Sequence, residues 1–535
     1  MSAILPPAKG AVSARDNRDN DALTWSQLHP WSNVEKCWPR RLLHIPTMTS
    51  FERRGESTYG TVNEPQYGII SYTWGRWESK TASSIKINGT PWKIPAVAPE
   101  HFTPEMLQAV IHQVGKDVEY VWIDIACIDQ EDQGTKMDEI GRQVGIFARA
   151  TRTYVWLSHL QPDSMFRNLN ELTDLIYSIC FRNEDDWRIP QDVIRRISEC
   201  FNFLFEDPWF SSLWTLQEFT LNRTALILSR DGRPVRRRTP SGHFFLLALA
   251  NDSFNLLREL ESIESKWPLR VQGVRNEIEN IRLQCRRAGF QSALVNNPNV
   301  QYELVQYRTT TRLEDRIYGI SQIYQLKVGQ SLQPSMVFTL DELRDQFAEA
   351  LVTQYPAISQ LFIHRDRPRP GQTWRITETC VVPKPFLVVG KGASLCKFKL
   401  TTAKSIICNG LACLLCDLDK VPLTQVLEIF LDREVEKGLS LSRHLGFPLS
   451  KLNNARIPLK PRDVLNSLAT ALGPHRVMVV PLILNGVGLL TGMLLSRIDM
   501  RESAQWERLG IFTIQSEVYS KELLDQCVEF CGEIF

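Results

Sequence analysis

Residues 211–219 read SSLWTLQEF, with Trp214 and Glu218 four positions apart in a stretch of helical character. That spacing puts an indole and a carboxylate on one helix face. Such a pair suits chemistry in which positive charge develops. The ring packs against a sugar or base and partly desolvates the acid, while the carboxylate holds hydroxyls or stabilises the cation. Two further stretches carry polar groups just beyond short apolar runs. ISYTWG, 70–75, supplies Ser71, Tyr72, Trp74 and Gly75; VWIDIACIDQED, 121–132, supplies Asp124, Cys127, Asp129 and Gln130. Ligands of open α/β sheets bind beyond the carboxyl ends of the strands, so both sets would line one edge. Plainer roles stand beside these. Trp214 could be core, Glu218 an acid bonded to a nearby amide, Asp124 the cap of its loop and Gly75 the maker of a turn. Cys127 has no histidine near it in sequence and reads as a buried thiol.

The elements that must hold these residues follow from periodicity. QYGIISYTWG, 66–75, is a strand running into a turn, and SSIKINGTPWKI, 83–94, is a hairpin about Asn88-Gly89. TPEMLQAVIHQVG, 103–115, is a Thr-capped helix and YVW begins a strand. KMDEIGRQVGIFARA, 136–150, is a helix and TYVWLSHL, 153–160, a strand. Strand and helix alternating at this pitch predict a parallel sheet covered by helices. A polar helical insertion, 161–206, includes the acidic NEDDW. DPWFSSLWTLQEFTLNRTALILS then gives a helix and a strand, and 242–290, 310–323 and 339–355 are helical. Beyond about 370 the texture turns to short β-rich runs, PFLVVGKG and FKLTTAKSIICNGLACL among them, closed by a helix SKELLDQCVEFCGEIF. The divisions expected are an irregular extension over 1–60, a core over 61–235, a helical part over 236–365 and an α+β region over 366–535. Trp25, Trp31 and Trp38 would pin the extension to the core.

Composition narrows the classes. Of 535 residues 43% are hydrophobic and 23% charged, with net charge +2, so a packed core is expected and nucleic acid or an anionic membrane is not demanded as partner. Arg233, Arg236, Arg237 and Arg238 form a short basic loop. Twelve cysteines without framework spacing suit a reducing compartment, and neither Cys413/Cys416 nor Cys527/Cys531 has the further ligands of a zinc site. No apolar signal-peptide core opens the chain. The uncharged run 477–496 is long enough to span a membrane, but Asn485-Gly486 at its middle argues for a buried hairpin. No glycine-rich phosphate loop appears, which disfavours kinase and P-loop chemistry.

In their order, SYTWG, WIDIACIDQ and WTLQE resemble the fungal heterokaryon-incompatibility (HET) domain, with FARA before YVWL and EDRIYGI, 314–320, in support. The likeness covers about 60–350, and Ser212 stands where that family usually has arginine. HET domains are in turn similar to TIR domains, some of which hydrolyse NAD. Ser212, Trp214 and Glu218 keep the TIR spacing of serine, tryptophan and catalytic glutamate, with Thr215 in the cysteine position, and Ile70, Ser71 and Tyr72 match the first TIR strand.

The resemblance implies a flavodoxin-like, TIR-like parallel sheet with helical additions and a C-terminal β-containing region. It implies a cytoplasmic protein of non-self recognition and regulated cell death. Glu218 would be catalytic in cleaving the N-glycosidic bond of NAD or a related nucleotide. Ser71, Tyr72, Trp74, Gly75, Asp124, Cys127, Asp129, Gln130 and Trp214 would contact the substrate, with no metal and no other cofactor. Self-association and a protein partner in incompatibility signalling belong to the same picture. The competing reading is a non-catalytic module that triggers death by binding a partner.

Overall fold

The computed structural model describes residues 37–55, 57–181, 191–238, 242–266, 272–290, 294–295, 297–329, 338–387, 392–416, 427–433, 435, 461–473, 475–498 and 505–535. The acidic NEDDW segment, Trp25 and Trp31 lie outside these. The described chain falls into two compact units. The first is Val34–Gln354 with Ile376–Val382; the second contains Tyr355–Arg375 and Pro383–Phe535.

An eight-stranded sheet organises the first unit, in the order β4-β3-β2-β1-β6-β5-β7-β8. Its strands are β1 (Arg41–His44), β2 (Thr49–Arg54), β3 (Thr58–Tyr59), β4 (Val62–Asn63), β5 (Tyr67–Ser71), β6 (Tyr120–Trp122), β7 (Arg152–Trp156) and β8 (Leu226–Leu228). β6, β5, β7 and β8 are mutually parallel, and β1 joins β6 antiparallel. The unit is therefore mixed α/β around a parallel core. Its helices, in chain order, are α1 (Pro104–Val114), α2 (Asp124–Cys127), α3 (Gln133–Gly141), α4 (Gln143–Arg149), α5 (Pro162–Cys180) and α6 (Gln191–Phe205). They continue with α7 (Leu213–Leu221), α8 (Leu246–Lys266), α9 (Arg275–Arg287), α10 (Pro298–Leu304), α11 (Asp315–Ile323) and α12 (Leu340–Gln354).

The strand period of two divides the core between the sheet's faces. Tyr154, Trp156, Leu226 and Leu228 pack with α1 and α4, whereas Val155, Leu157 and Ile227 pack with α5, α6, α8 and α9. α1 starts as its sequence demands: the Thr103 side chain accepts from Met106 N, Pro104 needs no donor, and Leu107, Val110, Ile111 and Val114 are buried.

Several local expectations change in three dimensions. Residues 41–63 are not irregular but form β1–β4, because their short runs find partners along the sheet's antiparallel edge. Trp38 does pin this region, packed between Tyr59 and Tyr67 with the Arg149 guanidinium 3.7 Å from its ring. The 83–94 stretch makes no hairpin. Its Asn88 bonds instead to Met48 and Ser50 backbone, and Gly89 sits at φ 78° with Ser50 O where a Cβ would be. The 136–150 helix breaks at Arg142 into α3 and α4.

The second unit is built on a mainly antiparallel sheet. Its strands are β9 (Gly392–Ser394), β10 (Cys396–Leu400), β11 (Ile406–Leu414), β12 (Leu427–Leu431), β13 (Val477–Asn485), β14 (Leu490–Arg497), β15 (Gln505–Ile514) and β16 (Val528–Ile534). α13 (Pro461–Leu472) and α14 (Glu517–Gln526) add to its core. The uncharged 477–496 run is the β13–β14 hairpin, its turn closed by Asn485 Oδ1 accepting from Val487 N and Leu489 N. No helix among the described residues is long and apolar enough to cross a membrane. PFLVVGKG opens as the helical turn Lys384–Phe386 rather than a strand. The final helix ends at Gln526, and Val528–Ile534 becomes a strand between β11 and β15. Alternating Val528, Phe530 and Ile534 suit a sheet once neighbours exist.

Candidate active site at the carboxyl edge of the parallel strands

β5 ends at Ser71, and alternation sends the side chains around its end to opposite sides. Ser71 reaches α7 and the turn before it. Trp209 Nε1 donates to Ser71 Oγ at 2.7 Å, and the Ser71 hydroxyl donates to Glu218 Oε2. One hydroxyl thus links a core indole to the acid, and each bond in such a chain polarises the next. Glu218 is closely enclosed yet keeps part of its surface at the rim. Burial pushes its pKa up to about 8, against the pull of the Ser71 hydroxyl, and the negative charge of Asp124 adds to the rise. Among the described residues it has no ion pair.

Tyr72 and Trp74 turn the other way, toward Asp124. Trp74 Nε1 donates to Asp124 Oδ2 at 2.6 Å, and Ile125 N donates to Oδ1 at 2.7 Å. Burial raises the Asp124 pKa, opposed first by the Trp74 bond. Tyr72 is buried against Phe102 and Trp156, and its hydroxyl faces Asp124 without a hydrogen bond of good geometry. Burial and then Asp124 hold that phenol well above its ordinary pKa, with Glu218 also near enough to contribute.

The other sequence-selected residues occupy distinct places. Gln130 braces the loop: its amide donates to the Asp124 and Ile128 carbonyls at 3.0 Å each, and its Oε1 accepts from Lys136. Asp129 closes the next turn by accepting from Glu131 N and Asp132 N. Cys127 is 1% exposed, and burial pushes its thiol up to about 12, so it is packed beneath the rim rather than open at it. Gly75 opens a short helical turn; its φ is not left-handed, and a Cβ there would meet nothing within 4 Å. Trp214 is half-buried, with its indole toward Asp315 of α11.

Several residues at this edge were not legible as site residues. Asp207 caps the Pro208–Phe210 turn by accepting from Trp209 N, and it also accepts from His159 N; burial pushes its pKa up to about 6. Arg308 is buried beneath α7, where its guanidinium donates to the Trp209, Ser212 and Ala288 carbonyls; burial lowers its pKa to about 9. A cation thus lies beside Ser212 after all, delivered from a remote turn. Thr73 O accepts from His101 Nε2 at 2.5 Å, and His101 Nδ1 meets His159 Nε2 at 2.8 Å. The Asp-Pro-Trp cap was the one readable signal for this group; the His101–His159 pairing leaves none.

Comparison with known proteins now adds to the geometry. The family model for heterokaryon incompatibility protein (HET) matches residues 67–218, from the first residue of β5 to Glu218. The chain carries a HET domain. A relative, heterokaryon incompatibility protein 6, OR allele, of Neurospora crassa, is 24% identical over a match covering 29% of this chain and 28% of that protein. The chain therefore aligns with little more than a quarter of that relative's length. No solved structure matches. The matched HET segment holds Ser71, Tyr72, Trp74, Asp124, Asp207, Trp209 and Glu218, while Arg308 and Asp315 lie beyond it.

Proposed function

We propose that this is a protein of non-self recognition and regulated cell death whose HET domain hydrolyses the N-glycosidic bond of NAD or a related nucleotide. The order of its parallel strands, second-first-third-fourth along the chain, is that of flavodoxin-like sheets, and supports the TIR-like reading. The observation that carries the chemistry is Glu218 itself. It is an enclosed carboxyl with no ion pair among the described residues, set by Ser71 at the strand edge, near Asp124 and the Tyr72 hydroxyl, which has no well-formed hydrogen bond. Buried polar atoms without partners are uncommon and find ready partners in a ligand.

A nicotinamide ribosyl group brings its own positive charge. Beside Glu218 that charge favours the carboxylate form and lowers its pKa from the free-protein value. The C1′–N bond breaks with its electron pair going to the nicotinamide nitrogen, which leaves neutral. The ribosyl cation is stabilised by Glu218 and captured by water, whose proton passes to Glu218 or solvent. Tyr72 and Asp124 would hold the ribose hydroxyls.

The test is nicotinamide release from NAD by the full chain at high concentration, where self-association is favoured. Glu218→Gln should lower kcat by about 10²-fold or more. In the wild type, kcat/KM should rise with pH through about 8, and kcat should rise at lower pH because the bound cation eases ionisation. No release in any assembly state, together with cell killing retained by Glu218→Gln, would replace this reading with the non-catalytic partner-binding module.

A further inference from the structure

β5 and β7 are neighbours, but the chain leaves β5 toward β6 on one side and β7 toward β8 on the other. Such a reversal opens a crevice at the carboxyl ends. Cationic side chains gather there. Arg76 lies with its guanidinium carbon 4.7 Å from the Trp77 ring centre, and Trp77 stacks on His101 with centroids 3.9 Å apart. His101 meets His159, and Arg230 donates to the carbonyl of the preceding residue, Ser158, at 2.8 Å. Both guanidinium groups lie near enough to His101 to depress its basicity, after the larger effect of burial.

Among the described residues neither Arg76 nor Arg230 has an ion pair. Asp207, the acid beside this group, has its oxygens engaged by the His159 and Trp209 amides. The imidazoles also have defined roles. A carbonyl only accepts, so Thr73 O fixes the proton on His101 Nε2. His101 Nδ1 then accepts from His159 Nε2, which leaves His159 Nδ1 as a free base able to take up a proton beside an anion. Arg76 donates to Thr309 Oγ1 and Arg230 to the Ser158 carbonyl, so neither guanidinium has an anionic partner among the described residues, and an anion between them would add charge-assisted hydrogen bonds to both.

We propose that Arg76, Arg230 and His159 bind the pyrophosphate of a dinucleotide, with Trp77 as the wall of that subsite. The proposal rests on the nucleotide-cleavage reading for its substrate, but the anion site is testable without catalysis. Titration calorimetry of the full chain with inorganic pyrophosphate is the direct experiment. Arg76→Ala and Arg230→Gln should each weaken binding by about tenfold or more, while Arg238→Ala, remote from the crevice, leaves it unchanged. With NAD the same two variants should raise KM by about tenfold at nearly constant kcat, and with nicotinamide riboside, which has no pyrophosphate, they should change neither. Melting temperatures confirm folding, and Arg76→Lys, with partial retention of binding, replaces Arg76→Ala if that variant does not fold. Absence of pyrophosphate binding by the wild type, or binding by both arginine variants as tight as by the wild type, overturns the subsite. If binding depends on the arginines but no sample releases nicotinamide, the anion site stands and the cleavage reading falls. If nicotinamide is released with KM unchanged in both variants, the reverse holds.

Discussion

Two enclosed acids, one in each unit, are treated in opposite ways. Asp432 has both carboxylate oxygens 3.0 Å from Arg508 Nη1 and accepts from His364 N at 2.7 Å. Arg508 is fully buried and rests on the Phe362 ring. Among the described residues Glu218 receives a serine hydroxyl and no cation, and its burial is offset by holding a proton to about pH 8. The first arrangement neutralises charge with charge and ties β15 to the segment after β12. The second leaves an acid whose charge state changes with what arrives beside it. An enclosed acid with its counter-ion built in is scaffold; one without is poised for a ligand.

The largest expected effect breaks the scaffold side. Arg508→Met strands a buried Asp432 carboxylate and should cost about 3–5 kcal/mol in the C-terminal unit's denaturant transition. A loss below about 1 kcal/mol would mean that the pair is no keystone.

Next is pH. The folded pKa of Glu218 is raised above its ordinary 4.5, so between 4.5 and about 8 the folded chain keeps a proton that the unfolded chain has lost. Stability from this group is therefore full below that window and falls as pH rises through it. Glu218→Gln should remove the slope and exceed wild type by up to about 5 kcal/mol above the window, with the two converging near its acidic end. Parallel unfolding curves across pH for both proteins check this. Equal slopes would show that Glu218 ionises as freely as a surface acid.

A smaller effect probes the link. Ser71→Ala leaves the Trp209 N–H without its acceptor and should cost about 1–2 kcal/mol. It also removes the one bond that pulls the Glu218 pKa down, so the upper end of the pH window should move higher. The smallest effect is a control for charge pairing in water. Arg238 and Asp174 meet at 2.8 Å with side chains 61% and 62% exposed, and Arg238→Ala should change stability by no more than about 0.5 kcal/mol.

Legibility followed the range of the interactions. α1, β7 and the β13–β14 hairpin were readable because a cap, an apolar run and an Asn-Gly turn act within a few residues. β1–β4 and β16 were not, since strands of this length take their stability from partners elsewhere in the chain. Glu218 lies beside Ser71 from β5, a neighbour the sequence did not show, while the Trp214 indole lies toward Asp315 of α11. Helical spacing places two residues on one face without deciding which neighbour each will meet.

By itself the sequence determined the alternation of strand and helix, the ordered motifs of a HET domain and the place of Glu218 one turn from Trp214. Those depend on side-chain period, capping and turn chemistry, all local. Only the tertiary structure decided that Trp209, Ser71 and Glu218 form one hydrogen-bonded line, that Arg308 reaches the Ser212 carbonyl, and that His101 meets His159. These contacts join residues between 58 and 147 positions apart, where only the packing of sheet and helices brings the partners within reach.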